Sequence, residues 1–146
     1  MEAFVGEFVH ERRVEFCDTD AAGIAHFSSL MQYVEQAEHA FLRSLGFSVF
    51  TGNADGLTWP RVHVEMDFAG PVRFEETVRI SVAVKELGRT SVRYLFRITG
   101  PNGPVAKAET VAVSCRKEKL ESGEIRLSKV EVPESLRTAF LKHLVS

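Results

Sequence analysis

Cysteine is scarce. Two residues in 146, Cys17 and Cys115, stand far apart in strand-like sequence. In a reducing compartment no structural disulfide is expected, the lack of a Cys-x-x-Cys pair argues against a thiolate zinc site, and both are read as buried, inert thiols. The five histidines are scattered with no His-x-x-x-His pair, so no metal is expected. No apolar run approaches the roughly 20 residues that cross a bilayer, which argues against membrane insertion. The opening MEAFVGEFVHERR lacks the basic start and apolar core of a signal peptide, and a cytoplasmic chain is expected. Basic residues are not in excess. Eighteen Lys and Arg against 20 Asp and Glu give a formal net charge of -2, which argues against a nucleic-acid partner. There is no Gly-x-Ser-x-Gly elbow, no P-loop and no dinucleotide fingerprint, so no cofactor is expected.

Large apolar side chains are plentiful. Hydrophobic residues make up 45% of the chain, eleven of them Phe. A chain this long buries roughly two thirds of its unfolded surface, enough for one domain over residues 1–146. Residues 8–16 read as a strand and 19–27 as a small-residue loop. A helix is predicted over 29–45, with Leu30, Val34, Ala37, Phe41 and Leu45 on one face, a Ser29/Gln32 capping box at its start and Gly46 as its stop. A loop follows over 47–58, with Gly52, Asn53, Asp55 and Gly56 as turn residues. The hydrophobic period then changes to two over 62–68, 78–84, 92–98 and 105–116, with Gly100-Pro101-Asn102-Gly103 as a hairpin turn. Pro133 opens a short helix, with Leu136, Phe140 and Leu144 on one face. Short connections force antiparallel pairing, and one helix covers only one sheet face. The uncovered surface predicts a homo-oligomer.

The chemistry concentrates just before the long helix. Asp18 and Asp20 sit in a turn beside its N-terminus, where backbone N–H groups lack partners and the dipole is positive. A carboxylate next to amide donors suits acyl transfer or hydrolysis. Spacing alone also fits two turn residues bonding their own backbone, and Asp18 is read in that structural role, anchoring the loop. His26 is either a helix cap or a donor. Glu35 and Glu38, by pattern alone, are solvated helix residues. His63 belongs to the polar face of a strand.

The run Phe16-Cys17-Asp18-Thr19-Asp20-Ala21-Ala22-Gly23-Ile24, followed by Phe27 and a helix carrying Glu35, resembles the hotdog-fold thioesterases. The likeness is to their 4-hydroxybenzoyl-CoA thioesterase-like branch of acyl-CoA thioesterases. Pro60-Arg61-Val62, Phe68, Pro71-Val72-Arg73-Phe74 and the run 85–91 continue it, so that it spans roughly residues 10–116. The resemblance implies an α+β hotdog fold: a long central helix wrapped by an antiparallel sheet of about five strands, with a short C-terminal helix. It implies hydrolysis of an acyl-CoA, whose CoA is part of the substrate. Asp20 would be the catalytic carboxylate, as nucleophile or general base, made a stronger base by an apolar acyl group lying over it. The backbone N–H of Phe27 would hold the thioester oxygen, with His26 and Glu35 as further catalytic candidates. Gly23, Ile24, Arg89, Thr90, Ser91, Arg116 and Lys117 would contact substrate, with Lys119 another cation near the nucleotide. Sites of this family lie between subunits, which implies a homodimer or homotetramer. The alternatives are an acyl group carried on an acyl carrier protein, and a non-catalytic acyl-CoA binding module.

Overall fold

A computed structural model describes residues 7–49 and 56–145. In chain order its elements are β1 (Phe8–Arg13), α1 (Phe27–Ser44), β2 (Leu57–Thr58), β3 (Arg61–Phe68), β4 (Thr77–Leu87), β5 (Ser91–Gly100), β6 (Gly103–Val113), β7 (Cys115–Lys119), β8 (Ile125–Lys129) and α2 (Glu134–Leu141). Five strands form an antiparallel sheet in the order β1-β4-β5-β6-β3. Pro101 and Asn102 turn β5 into β6, and Gly103 takes a φ of 118°, which favours glycine.

α1 lies on one face of this sheet because its apolar stripe has nowhere else to be dry. Leu30, Tyr33, Val34, Ala37, Phe41 and Leu42 are buried in one cluster with Ile80, Val82, Val84, Tyr94, Phe96 and Ile98. α2 closes the far end of that core. Phe140 stacks on Phe41 at 6.2 Å and meets Tyr94 edge-on at 5.9 Å. Gly46, with a φ of 86°, ends α1 as expected. No helix among the described residues is long and apolar enough to cross a membrane.

The structure corrects several boundaries. The first strand stops at Arg13. Val14 turns into the core at 0% exposure, its backbone bonding Glu75 and Glu76, and a 3-10 turn follows over Phe16–Asp18. α1 starts two residues early. Its cap is His26, which places Ser29 inside the first turn, with its Oγ donating to the Asp18 carbonyl at 2.9 Å. The run 105–116 breaks at Ser114, and β7 leaves the main sheet to join β2 and β8. That second sheet, in the order β2-β7-β8, was not foreseen, although Gly123 and the alternation of Ile125 and Leu127 signal its hairpin. Leu144 lies past α2, in a bridge to Val84. Cys115 is buried as expected, but Cys17 is exposed. The turn residues Gly52, Asn53 and Asp55 lie outside the described residues.

β3 is the edge that matters for the site. It pairs with β6 on one side and with no strand on the other among the described residues. Val62, Val64 and Phe68 on this strand are 64%, 44% and 57% exposed, an uncovered apolar row.

Candidate active site

The turn that carries Asp20 is closed by its own backbone. Asp20 N–H donates to the Ile24 carbonyl at 2.9 Å, and Gly23 N–H to the Asp20 carbonyl at 3.0 Å, with Gly23 at a φ of 79°. Asp20 Oδ1 accepts from Ala22 N–H at 2.8 Å. Its other oxygen has no hydrogen-bond partner among the described residues. Asp20 is exposed at the rim of a cavity of about 590 Å3, whose walls are Ile24, Ala25, Phe27, Leu30, Phe68, Ala69, Gly70, Pro71 and Val72. Every wall except the carboxylate is apolar side chain or backbone, the usual composition of a small-molecule site.

The N-terminus of α1 opens on the same cavity. His26 Nδ1 accepts from Ser28 N–H at 3.2 Å, and Ser29 and Leu30 N–H both reach the His26 carbonyl, at 2.9 and 3.2 Å. That leaves Phe27 N–H as the first-turn donor with no acceptor among the described residues. Asp20 and Phe27, the first residue of α1, both line the cavity, so the carboxylate and the residue that carries the free amide border one apolar space. His26 serves as the cap. Its Nδ1 lone pair is used in the cap, and its ring lies 4.5 Å from that of Phe27, outside the cavity wall.

The remaining candidates lie elsewhere on the chain. Glu35 is exposed and lines a smaller cavity of about 100 Å3 with Met31, Val34, Glu38, Arg61, Val64 and Thr110. Arg89 pairs with Glu131 at 3.1 Å, Thr90 and Ser91 lie at the β4–β5 turn, and Arg116 and Lys117 are on β7. These five sit at the Arg61 end of β3, since Arg61 pairs with Ala112 while Ser91 pairs with Val113. The Asp20 cavity sits at the Phe68 end. Over the eight residues of β3 the two ends are roughly 24 Å apart. Within one chain, then, Asp20, Phe27, Gly23 and Ile24 come together, and the basic residues do not join them. His63 is half-exposed and lies 3.4 Å from Glu65. Among the described residues no three His, Cys, Asp or Glu come close enough to hold a metal ion.

Two buried carboxylates carry structure, Asp18 in the anchoring role read for it and Glu38 in one that the sequence pattern concealed. Glu38 is only 2% exposed and pairs with Arg61. Burial pushes its pKa up to about 7 even against the attraction of Arg61. A glutamate at helical spacing looks solvated until the strand that covers it is placed. Asp18 is 5% exposed. Its Oδ2 accepts from Tyr33 Oη at 2.7 Å, Glu15 N–H at 2.9 Å and Arg12 Nη2 at 3.3 Å, and Cys17 Sγ lies 3.8 Å from Oδ1. Desolvation alone would raise its pKa. The bonds from Tyr33 and Glu15 and the charge of Arg12 outweigh it and hold the carboxyl below its usual range.

A carboxylate and a helix N-terminal residue bordering one apolar cavity are the kinds of group that acyl transfer or hydrolysis employs. The family comparison agrees. Residues 22–107 match the thioesterase superfamily, and the chain belongs to that family. Its class is therefore that of a thioester hydrolase. It is similar to a 1,4-dihydroxy-2-naphthoyl-CoA hydrolase of Synechococcus elongatus, 29% identical over 109 residues that cover 73% of this chain and 80% of the relative. A putative esterase of Aquifex aeolicus is 31% identical over 103 residues, 70% of this chain and 80% of that protein. Among solved structures, a gentisyl-coenzyme A thioesterase is 26% identical with a TM-score of 0.75, covering 91% of this chain and 99% of that one. A 1,4-dihydroxy-2-naphthoyl-CoA thioesterase from Synechocystis superposes with a TM-score of 0.80 at 22% identity, over 92% of this chain and 96% of that one. The fold is the hotdog fold expected from the sequence, a long helix against a five-stranded antiparallel sheet.

Proposed function

We propose that the protein is an acyl-CoA thioesterase in which Asp20 drives attack on the thioester carbonyl and the Phe27 N–H stabilises the resulting oxyanion. The observation that carries this is the meeting of Asp20 on one apolar cavity with Phe27, whose N–H is the first-turn amide that lacks an acceptor among the described residues. The carbonyl carbon would lie beside the carboxylate and its oxygen against the amide. The acyl group would extend between Phe27, Leu30, Phe68 and Val72. The rings of Phe27 and Phe68, both more than half exposed, suit a flat aryl acyl group. The activities for which the relatives are named, on naphthoyl and gentisyl thioesters, support the same class. Hydrolysis adds water across the C–S bond and yields free acid and thiol. No step requires a cofactor.

The functional unit on this reading is a dimer joined edge to edge through β3. An exposed apolar edge strand with unpaired backbone groups calls for a partner, and a two-fold pairing runs the two β3 strands antiparallel. That arrangement puts the Phe68 end of one copy beside the Arg61 end of the other. Arg89, Thr90, Ser91, Arg116 and Lys117 of one copy would then stand near the other copy's cavity, where the CoA nucleotide needs cations. The single-chain separation of these groups from Asp20 follows naturally.

The deciding experiment is thiol release from a panel of short, long and aryl acyl-CoAs, with wild type and Asp20→Asn side by side. Release by wild type, lost in a folded Asp20→Asn variant, supports the assignment. Near-wild-type turnover by Asp20→Asn overturns it.

A further inference from the structure

Asp20 has few restraints of its own. Among the described residues its carboxylate bonds only Ala22 N–H, and its backbone bonds only Ile24 and Gly23, all inside the same small turn. The ends of the turn are joined by a bridge between Thr19 and Ala25, and Ala25 N–H donates to the Val72 carbonyl at 2.8 Å, so the turn is held from the 72–73 side. Two residues back, Asp18 is bound to almost everything around it. Its carbonyl accepts from His26 N–H at 2.8 Å and from Ser29 Oγ at 2.9 Å, which ties the chain to the cap and first turn of α1. Its carboxylate accepts from Tyr33 Oη, one turn further along the helix, and from Arg12 on β1. Arg12 also bonds Gln36 and lies over the Tyr33 ring, 4.7 Å from its centroid. The three side chains therefore join β1, the Asp20 turn and α1 in one knot.

We propose that Asp18, gripped by Tyr33 and Arg12, is a positioning residue that sets the distance between the Asp20 carboxylate and the Phe27 amide. The proposal rests on the reading of Asp20 given above. Asp18 touches no reacting atom, since it is buried and absent from the cavity wall. It acts through the two peptide units that link it to Asp20, which span at most about 7 Å. Acyl transfer tolerates little error in that spacing, because a displacement of about 1 Å costs on the order of 100-fold in rate. Tyr33 is the informative side chain to alter. Tyr33→Phe deletes one hydroxyl, leaves the ring in the core and frees the Asp18 carboxylate from α1, while the His26 and Ser29 bonds to the Asp18 carbonyl stay.

The test compares Tyr33→Phe with wild type in steady-state thioester hydrolysis. A fall in kcat of about tenfold or more, with KM within roughly twofold, is the expected result. In the Asp20→Asn background the same change should have no further effect on turnover, because the residue it positions is gone. Val84→Ala, a core change away from the site, serves as the control for lost stability. It should lower Tm while leaving kcat near wild type. Should Tyr33→Phe fail to fold, Arg12→Met unties the same carboxylate from the β1 side. Amide NMR supplies a readout independent of turnover, with the Asp20, Ala22 and His26 signals shifting or broadening in Tyr33→Phe. Unmoved amides, or an unchanged kcat in an otherwise active enzyme, overturn the proposal. Retained activity in Asp20→Asn would instead overturn the reading of the site, and the amide signals would still decide whether the knot holds the turn.

Discussion

Arg61, on the free edge strand, reaches across to the carboxylate of Glu38 on α1 and ties β3 to the helix beneath it. Glu38 is nearly sealed from water, whereas Arg61 keeps 29% of its side chain exposed. The pair therefore stands or falls on a buried negative charge. His39 Nε2 lies 3.5 Å from the same carboxylate, and burial pushes the pKa of His39 down, so a neutral ring adds little countercharge.

Removal of Arg61 should be costly in a pH-dependent way. Arg61→Ala leaves Glu38 unpaired, and breaking a buried pair costs about 3–5 kcal/mol while the carboxylate is charged. Below the folded pKa of about 7 Glu38 takes up a proton, and the loss should shrink toward about 1 kcal/mol. Urea unfolding at pH 5 and pH 8.5 measures both values. An equal loss at the two pH values would mean that Glu38 is not the group involved.

Two of the buried carboxylates, Glu38 and Asp18, should shift stability in opposite directions. The pKa of Glu38 is raised from 4.5 to about 7 on folding, so the folded state holds the extra proton between those values. Its contribution falls as pH rises through that window, and Glu38→Gln should flatten the fall. The pKa of Asp18 is lowered from 3.8, so its contribution is present above 3.8 and is lost as pH drops through the folded value. Asp18→Asn should remove that acid-side loss. Denaturant midpoints from pH 3 to pH 9 test both signs.

Phe27 separates backbone from side-chain catalysis. It is the first residue of α1, where proline is tolerated, and His26 before it already has the extended backbone that proline demands, with φ −67° and ψ 146°. Phe27→Pro therefore deletes the amide donor while keeping the helix. A loss of about 10²–10³ in kcat is expected. Phe27→Leu keeps the donor and should change kcat far less. Circular dichroism and steady-state kinetics on the two variants decide the matter.

The β3 edge offers a test of assembly. Val64→Lys places a charge in the uncovered apolar row at a position already 44% exposed, so the isolated chain should lose little stability. Sedimentation should show a monomer in place of a dimer, with turnover lost because the basic residues no longer reach a neighbour's cavity. An unchanged mass with full activity would remove β3 from the interface.

Local patterns made much of this legible in advance. The apolar stripe from Leu30 to Phe41 and the alternation along β3 to β6 specify which faces must be dry, so the long helix on an antiparallel sheet could be read directly. The Asp18–Ile24 turn before the helix was equally plain, and the Asp20 cavity forms where that turn meets α1. Helix start and strand end were less legible. Ser29 looks like a cap until His26 takes that place and leaves Ser29 inside the first turn, and nothing in a period-two run marks the break at Ser114.

The sequence by itself determined the class of fold and the acid beside the helix, because both follow from hydrophobic period and turn chemistry within a few residues. Only the tertiary structure decided that Glu38 is buried, that Tyr33 and Arg12 grip Asp18, and that the Phe27 amide is the one left free. Each of these depends on groups distant in the chain: Arg61 is 23 residues from Glu38, and Tyr33 is 15 from Asp18. Contacts of that kind are made by packing, and packing is set only when every layer is in place.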